Sequence, residues 1–320
     1  MDKNSKIMVA GHKGMVGSAI VREISSRGYA NLATVDRIEA DLRNQQQVFD
    51  MMESARPEVV VIAAAKVGGI MANNIYRGEF LYDNLMIEAN LIEASRRVGV
   101  KKLLFLGSSC IYPKFAEQPI REESLLTGTL EFTNEPYAIA KITGIKLCES
   151  YYRQYGCNYF SAMPTNLYGP GDNFDLEKSH VLPALMRKFH EAKAAGSDHV
   201  MVWGTGTVLR EFMYVEDLAS ALAFLLENVD SKDIYGKDIT HINIGTGSDV
   251  TISALAELVK DITGFQGKII YDTSKPDGTP RKLMDSSRLH ELGWESSVSL
   301  EEGIRRTYKW FLENIETIKR

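Results

Sequence analysis

The feature that most restricts the fold is a short apolar run, VVVIAAA at residues 59–65, in which polar and apolar residues do not alternate. A strand of this composition is buried on both faces, as in parallel sheets covered by helices. Comparable runs recur through the first half of the chain, and stretches with helical spacing separate them. This alternation predicts an α/β fold with a doubly wound parallel sheet and right-handed crossovers.

The same patterns assign the individual elements. Strands are predicted at residues 6–11, 32–36, 59–65, 102–109, 159–164, 241–247 and 268–272. Helices are predicted at residues 18–28, 45–55, 84–99, 137–156, 180–196 and 252–264. The alternation breaks after residue 173. We therefore expect a Rossmann-type domain at residues 1–174, rejoined by residues 213–244, and a smaller C-terminal α/β substrate lobe at residues 175–212 and 245–320.

Composition argues against several classes of protein. The 320 residues are 44% hydrophobic and carry a formal net charge of −5, with no basic block that would bind nucleic acid or an anionic membrane. No apolar run approaches the ~18 residues of a membrane helix. The three cysteines, Cys110, Cys148 and Cys157, form no C-x-x-C pair. We therefore expect no metal cluster and a reducing, cytoplasmic environment.

A glycine-rich segment, AGHKGMVG, follows the first predicted strand. Glycine lets the backbone turn tightly and approach a pyrophosphate, which the N–H groups and dipole of a helix N-terminus then bind. The spacing is G-x-x-G-x-x-G instead of G-x-G-x-x-G, and glycine triplets also occur in purely structural turns. Between a strand and a helix, the segment predicts a dinucleotide site formed by Gly11, His12, Lys13, Gly14, Met15, Val16 and Gly17.

The end of the second predicted strand, TVDRIEADL, bears on the choice of cofactor. An acidic residue there binds the ribose 2′-hydroxyl of NAD, whereas an arginine accepts the 2′-phosphate of NADP. Asp36 favours NAD, and Arg37 favours NADP unless it is only a solvated turn residue. Lys13 adds a second cation, and two cations outweigh one carboxylate, so we expect NADP(H). Asp41 is expected either at the adenine end of the cofactor or as a helix cap.

The segment PYAIAK places Tyr137 and Lys141 four residues apart, on one face of a helix. A phenol has a pKa near ~10, and a neighbouring ammonium group lowers that pKa toward the range useful for proton transfer. The pair gains weight from the serine-bearing strand end GSSCIYP and from the glycine loop, which both precede it. This pattern predicts an active site.

Together these segments resemble the short-chain dehydrogenase/reductase superfamily in its extended, nucleotide-sugar branch. The ordered blocks AGHKGMVG, AAAKVGGIMANN, GSSCIYP, NEPYAIAKI, PTNLYGPGDNF, SHVLPALMRKFHEA, WGTGTVLREFMYVEDLA and KPDGTPRKL are similar to the GDP-L-fucose synthase family over nearly the whole chain. Related 4,6-dehydratases carry Asp-Glu after the serine or threonine, where this chain has Ser109 and Cys110. The resemblance implies 3,5-epimerisation of GDP-4-keto-6-deoxy-D-mannose followed by NADPH-dependent reduction of its C4 ketone to give GDP-L-fucose.

The resemblance also implies roles in the chemistry. Ser108 and Tyr137 would hold the C4 oxygen, with Tyr137 donating the proton during reduction. Lys141 would bind the nicotinamide ribose and lower the pKa of Tyr137. Cys110 would be the base and His180 the acid of epimerisation, since a thiol near ~8.5 and an imidazole near ~6.5 have accessible pKa values. Without the resemblance, Cys110 fits core packing, and His180 fits a helix cap or a solvated residue.

The binding residues follow from the same resemblance. Besides the glycine loop, the cofactor is expected to contact Asp36, Arg37, Asp41, Leu106, Gly107, Ser109, Lys141, Pro164, Thr165, Asn166, Leu167 and His180. The GDP-sugar is expected to contact Val181, Leu185, Lys188, Trp203, Arg210 and Lys282. The cations among them would bind the diphosphate, and core packing stays open for Val181, Leu185 and Trp203. Many relatives have arginine at position 188, and lysine lacks its bidentate fork.

Two alternative functions and an assembly complete the expectations. Asp36 motivates a nucleotide-sugar 4-epimerase that holds NAD tightly and consumes no NADPH. A non-catalytic binding module on this fold typically loses the tyrosine or lysine, whereas this chain has Ser108, Tyr137 and Lys141. The resemblance implies a homodimer formed through the two long helices of the first domain as a four-helix contact. Neither nucleic acid nor a membrane is expected as a partner.

Overall fold

The computed structural model describes residues 1–36, 38–176, 178–275 and 277–318. Its strands are β1 (Ile7–Ala10), β2 (Leu32–Ala33), β3 (Val59–Ile62), β4 (Lys102–Leu106), β5 (Tyr159–Pro164), β6 (Asn166–Tyr168), β7 (His199–Trp203), β8 (Leu209–Arg210), β9 (Phe212–Tyr214), β10 (Ile242–Ile244), β11 (Val250–Thr251), β12 (Lys268–Asp272) and β13 (Arg281–Lys282). Its α-helices are α1 (Met15–Ser26), α2 (Gln45–Ala55), α3 (Ile70–Ile75), α4 (Arg77–Val98), α5 (Glu135–Tyr155), α6 (Val181–Ala194), α7 (Val215–Asn228), α8 (Ser231–Tyr235), α9 (Ile252–Thr263), α10 (Ser287–Glu291) and α11 (Leu300–Asn314). Short 3-10 helices span Ser109–Ile111 and Glu122–Ser124.

Six parallel strands form the central sheet in the order β2-β1-β3-β4-β5-β10. The strand order changes direction between β1 and β3, and ligands bind at such a switch point. Alternate residues of β1 face opposite layers: Ile7 and Val9 pack in one apolar cluster with α1 and α7, and Met8 and Ala10 in another with α2 and α4. The predicted α/β fold of the doubly wound Rossmann type is confirmed.

The second lobe has its own apolar core and two small sheets. Strand β8 pairs antiparallel with β11 and parallel with β13, and β7 pairs parallel with β12. Helices α6, α9 and α11 enclose a third apolar cluster in which Phe189, Leu255 and Phe311 are buried. Strand β10 returns to the edge of the central sheet beside β5. The boundaries of the two domains stay a prediction.

Several elements differ from the prediction. Strand β2 covers only two of the five predicted residues, 32–36, because it is an edge strand that pairs with β1 alone. Helix α4 begins at Arg77, before the predicted start at residue 84. No prediction covers α7, which packs against α1 in the same apolar cluster and whose buried residues do not form one stripe. Among the described helices, none combines the length and apolarity needed to span a bilayer.

One buried carboxylate connects the second lobe to the sheet. Glu211, between β8 and β9, is fully buried. Its Oε1 accepts the backbone N–H groups of Thr246 (2.6 Å) and Gly247 (2.9 Å), and its Oε2 accepts that of Met284 (3.0 Å). Burial raises the pKa of Glu211, while these N–H groups favour its ionised form. Glu211 therefore fixes the end of β13 against the loop that follows β10.

Glu211→Gln should lower the free energy of unfolding by about 2–4 kcal/mol, because an amide NH2 group would face a buried N–H group. Urea unfolding followed by circular dichroism measures the change. Glu257→Gln is the matched control, since Glu257 is exposed and its contact with Lys260 is a long one, 3.5 Å. The free energy of unfolding of this variant should stay within about 0.5 kcal/mol of the parent value. Equal unfolding midpoints for the two variants would contradict the role assigned to Glu211.

Candidate active site

The glycine loop joins β1 to α1 at the switch point of the sheet. Gly11 has φ +88°, and a Cβ there would lie 2.7 Å from the backbone nitrogen of Ala64. A Cβ on Gly17 would lie 2.1 Å from the carbonyl oxygen of Gly11, so loop and helix approach too closely for side chains. Gly14 precedes α1 and makes no side-chain cap. The first N–H groups of α1, including that of Val16, therefore suit an anion.

Asp36 lies beside two basic side chains of the glycine loop. Its Oδ1 is 2.6 Å from Lys13 Nζ and 3.4 Å from His12 Nε2. The hydrogen bond from Lys13 lowers the pKa of Asp36, so its carboxylate is ionised at neutral pH. Arg37, the other predicted cation for a 2′-phosphate, lies outside the described residues.

Asp41 does not cap helix α2. Its carboxylate is 2.7 Å from Arg43 Nη2, and its backbone N–H donates to the side chain of Gln47. The cap of α2 is Asn44, whose side chain accepts the backbone N–H of Gln47. The helix-cap alternative for Asp41 is wrong, and its contact with the adenine end of a cofactor stays a prediction.

Ser108 and Tyr137 meet beyond the end of β4. Ser108 precedes the 3-10 helix Ser109–Ile111, and its Oγ accepts the backbone N–H of Cys110 at 3.4 Å. Tyr137 lies in the first turn of α5 and lines the same cavity as Ser108. Burial raises the pKa of Tyr137 well above its ordinary value, and the nearby Cys110 and Glu88 raise it further. The phenol is therefore a proton donor at neutral pH.

Lys141 lies on the same face of α5 as Tyr137 and is buried beneath it. Lys141 Nζ is 2.8 Å from Glu88 Oε1 and donates to the carbonyl oxygen of Leu106 at 3.0 Å. It lies 5.9 Å from the centre of the Tyr137 ring. The expectation that Lys141 lowers the pKa of Tyr137 is wrong for this structure. Glu88 pairs the charge of Lys141, and burial of the phenol dominates.

One cavity of about 310 Å³ opens between the sheet and the second lobe, within the usual range of ~300–1,000 Å³ for small-molecule sites. The predicted residues that line it are Ser108, Ser109, Cys110, Tyr137, Asn166, Leu167, His180, Val181, Leu185, Lys188, Trp203, Arg210 and Lys282. The structure thus brings together every predicted substrate residue and every predicted chemical residue except Lys141. The glycine loop and Asp36 lie outside this lining.

The two residues assigned to epimerisation are influenced by the same cation, Lys282. Burial raises the pKa of Cys110, and the positive charge of Lys282 opposes that rise. His180 precedes α6 without a side-chain cap, and its pKa is lowered by burial and further by Lys282. Burial also lowers the pKa of Lys282, while Cys110 opposes that change. The prediction assigned Lys282 to the diphosphate, yet its charge also favours a Cys110 thiolate.

Lys282→Gln should slow the alkylation of Cys110 by iodoacetamide at mildly alkaline pH roughly threefold to tenfold. Loss of the cation raises the pKa of the thiol, and the thiolate is the reactive form. Mass spectrometry of the Cys110 peptide over time measures the rate. Lys275→Gln, at the same cavity, is the control and should react at the parent rate. Equal rates in both variants would remove Lys282 from the environment of the thiol.

Trp203 borders the cavity with 42% of its surface exposed, so the core-packing alternative for this residue is wrong. Lys188 Nζ lies 4.9 Å from the ring centre, and Lys275 Nζ lies 5.3 Å from it. Lys188 also donates to the carbonyl oxygen of Met201, and burial lowers its pKa. An exposed indole beside two ammonium groups suits an anionic ligand with an aromatic ring.

Arg210 and Lys282 are direct neighbours on β8 and β13. Arg210 Nη2 donates to the carbonyl oxygen of Asp277 at 3.3 Å, and burial lowers the pKa of Arg210. Two cations side by side at the cavity wall suit a diphosphate. Leu185 is buried in the apolar core of the second lobe and Val181 packs against it, and both line the cavity, so packing and ligand contact are compatible for both.

The segment Pro164–Leu167 covers the end of β5, the connecting residue Thr165 and the start of β6. Thr165 Oγ1 and Asn166 Nδ2 donate to the carbonyl oxygen of Glu211 at 3.3 Å and 2.8 Å, so both side chains hold the backbone beside the cavity. Gly107 is confined by the sheet, because a Cβ there would lie 2.1 Å from the side chain of Met163. Contacts of these residues with a cofactor stay predictions.

Sequence reasoning did not single out several charged residues in or beneath the site, among them Lys275 and Glu88. Lys275 belongs to the block KPDGTPRKL, where its charge was a usable signal. Glu88 lies in the helical segment NLMIEANLIEA, where the sequence does not distinguish a buried glutamate from an exposed one. Cys148 and Cys157 pack with the apolar core beside α5, in agreement with a structural role.

The chain was compared with known proteins. The model of the NAD dependent epimerase/dehydratase family matches residues 7–245. GDP-L-fucose synthase 1 of Arabidopsis thaliana is 57% identical and covers 98% of this chain and 95% of its own. GDP-L-fucose synthase of Escherichia coli (strain K12) is 55% identical over 97% of each chain. The solved structure of a GDP-L-fucose synthetase from Naegleria fowleri bound to NADP is 29% identical, with a TM-score of 0.90 over 100% of this chain and 98% of its own.

A glycine loop at the switch point and a Ser-Tyr-Lys set beyond β4 define a dinucleotide-dependent enzyme of the doubly wound class. The chain belongs to the NAD dependent epimerase/dehydratase family.

Proposed function

We propose that this protein converts GDP-4-keto-6-deoxy-D-mannose into GDP-L-fucose, by epimerisation at C3 and C5 and NADPH-dependent reduction at C4. The observation that carries the proposal is one cavity that holds a Ser108–Tyr137 donor pair together with the thiol of Cys110 and the imidazole of His180. Relatives at 55% and 57% identity over nearly the full chain, named GDP-L-fucose synthase, support the same function.

The C4 oxygen of the sugar is the centre of the mechanism. C3 and C5 both flank the C4 carbonyl, so removal of a proton from either carbon gives an enolate with its charge on the same oxygen. Ser108 and Tyr137 form hydrogen bonds to this oxygen and stabilise the charge in every step. Because burial keeps the phenol of Tyr137 protonated, it can donate without prior uptake of a proton.

Epimerisation requires proton removal from one face of the sugar and proton return to the other. Cys110 acts as the base and becomes a thiolate with the help of the Lys282 charge. His180 acts as the acid from the start of α6, across the cavity lining. Because burial and the Lys282 charge lower the pKa of His180, its imidazole is mainly neutral near pH 7. It must therefore take up a proton before it can give one to the sugar.

Reduction completes the reaction. NADPH, when bound, supplies the hydride to C4. Tyr137 transfers its proton to the C4 oxygen, and Lys141, one turn further along α5, would bind the nicotinamide ribose.

The residues of the loop fit NADP(H). The close approach at Gly11 and Gly17 brings the uncapped start of α1 to the switch point, where the pyrophosphate would bind. Lys13 pairs with the carboxylate of Asp36. A 2′-phosphate bound there would therefore meet a cation and no uncompensated negative charge. Leu106, Gly107, Ser109 and the segment Pro164–Leu167 would line the nicotinamide side.

The second lobe binds the GDP part of the substrate. Arg210, Lys188 and Lys282 bind the diphosphate, Trp203 borders the guanine, and Val181 and Leu185 complete the wall. We propose the same two domains as the sequence predicts, residues 1–174 with 213–244, and residues 175–212 with 245–320. The protein functions as a homodimer through α4 and α5. It works in the cytoplasm, which suits the three cysteines, all free in the structure.

The function is tested by incubating the purified protein with GDP-4-keto-6-deoxy-D-mannose and NADPH. We expect one NADPH oxidised for each GDP-L-fucose formed, with the product identified by NMR. A sugar product formed without NADPH consumption would instead indicate a 4-epimerase with tightly held NAD, and no conversion would reject both functions.

Tyr137→Phe should retain NADPH binding, measured by fluorescence quenching, and lower kcat for reduction by roughly 10²–10⁴-fold, because the proton donor to the C4 oxygen is lost. Tyr155→Phe, at the exposed end of α5, is the matched control and should keep the parent kcat. Turnover of Tyr137→Phe close to that of Tyr155→Phe would remove Tyr137 from the mechanism.

Cys110→Ser should mainly harm epimerisation, because a hydroxyl group is a far weaker acid than a thiol and cannot become the base near neutral pH. We expect NADPH consumption to continue slowly and to give sugars that are reduced without full inversion at C3 and C5. Cys157→Ser, away from the cavity, is the control. GDP-L-fucose formed by Cys110→Ser at the control rate would show that Cys110 is not the base.

A further inference from the structure

Helix α4 carries a buried carboxylate directly beneath the catalytic helix α5. The side chain of Glu88 is 1% exposed and that of Lys141 is 3% exposed. Glu88 Oε1 lies 2.8 Å from Lys141 Nζ, so the two side chains form a buried ion pair. A charge in this position is fixed in space, since the surrounding protein leaves neither group room to reach water.

A glycine of α5, Gly144, leaves room for the carboxylate of Glu88. A Cβ on Gly144, one turn of α5 after Lys141, would lie 2.9 Å from Glu88 Oε2 and 2.4 Å from the ring of Phe105. The absence of a side chain at position 144 therefore lets Glu88 reach under α5. Among the described residues, Glu88 Oε2 has no hydrogen-bond partner, so Lys141 is the group that compensates its burial.

Stability alone does not account for the pair. Two buried opposite charges gain little over an apolar contact of the same size, because both lose their hydration. Lys141 also has a second fixed contact, the carbonyl oxygen of Leu106 at 3.0 Å, and lies 4.6 Å from the centre of the Phe105 ring. Glu88 and Leu106 together hold the ammonium group on the Tyr137 side of the helix.

We propose that Glu88 is a positioning residue for the reduction step: its carboxylate holds Lys141 beneath Tyr137, and its negative charge offsets the lysine charge and adds to what favours the protonated phenol. This inference rests on the function proposed above and adds a residue to it. Glu88 touches neither the cavity lining nor the reacting atoms, and it acts through Lys141 and through its charge.

The charges that face these groups determine the sign of the effect. Around Tyr137, burial, Cys110 and Glu88 raise the phenol pKa, and Ser108 lowers it. Burial raises the pKa of Glu88 to about 7, against the attraction of Lys141, and Glu88 also faces Cys148 from α5. Above that pH the carboxylate is ionised and opposes loss of the Tyr137 proton. Removing its charge should therefore lower the pKa of Tyr137.

The first test compares Glu88→Gln with the parent protein. Tyr137 must be protonated to donate, so the basic limb of kcat/KM for ketone reduction should move to lower pH by about one unit. The kcat at the optimum should fall roughly tenfold because Lys141 is no longer held in place. Glu88→Asp keeps the charge and should restore most of the parent profile. Glu93→Gln, on the same helix and paired with Arg96 and Arg97, should leave the profile unchanged.

The second test needs neither cofactor nor substrate. In protein labelled with ¹³Cζ-tyrosine, the Tyr137 signal is the one lost in Tyr137→Phe. This signal should titrate at lower pH in Glu88→Gln than in the parent and in Glu93→Gln. Glu88→Met is a second neutral variant, and whichever neutral variant folds decides the result.

A lower unfolding temperature in the neutral variants, with the Tyr137 titration and the basic limb both unmoved, would show that Glu88 is only a packing residue. A parent protein that does not consume NADPH with the ketosugar would overturn the proposed function, and the NMR titration would still decide whether Glu88 controls Tyr137. The two failures are thus distinguishable.

Discussion

The buried carboxylate of Glu211 is the interaction on which the site depends most. It accepts backbone N–H groups from Thr246, Gly247 and Met284, and so fixes the end of β13 against the loop that follows β10 of the central sheet. Because β13 carries Lys282 beside Arg210 of β8, this one side chain sets where the cations of the second lobe lie relative to the strand ends of the first. The cavity exists because two separate apolar cores are held at this distance.

Much of the fold could be predicted, because strands buried on both faces are continuous apolar runs and crossover helices have a clear period. The run at residues 59–65 became β3 at the centre of the sheet. Helix α7 and the short strands β6, β8, β9, β11 and β13 carried no such signal. The first has no single apolar stripe, and the others consist of two or three residues that depend on tertiary contacts.

The candidate site shows the same division. The residue pattern predicted Ser108 and Tyr137, the family resemblance added Cys110 and His180, and all four line one cavity. The electrostatics could not be predicted from the sequence, because the pKa of a group depends on burial and on partners distant in the chain. Burial of the phenol raises the pKa of Tyr137, against the expected direction, and Glu88, which pairs with Lys141 from another helix, adds to the rise. The four-residue spacing of Tyr137 and Lys141 predicts that they share a helix face. It carries no information about Glu88, which is distant in the sequence and lies beneath both.

The central claim is that one cavity performs both epimerisation and reduction. The most direct measurement is a single turnover of GDP-4-keto-6-deoxy-D-mannose with NADPH in deuterated water, with the deuterium content at each sugar carbon read by NMR. The account predicts GDP-L-fucose with deuterium at C3 and C5 and with the C4 hydrogen derived from NADPH. A reduced sugar without deuterium at C3 and C5 would contradict it and would leave Cys110 and His180 without a chemical role.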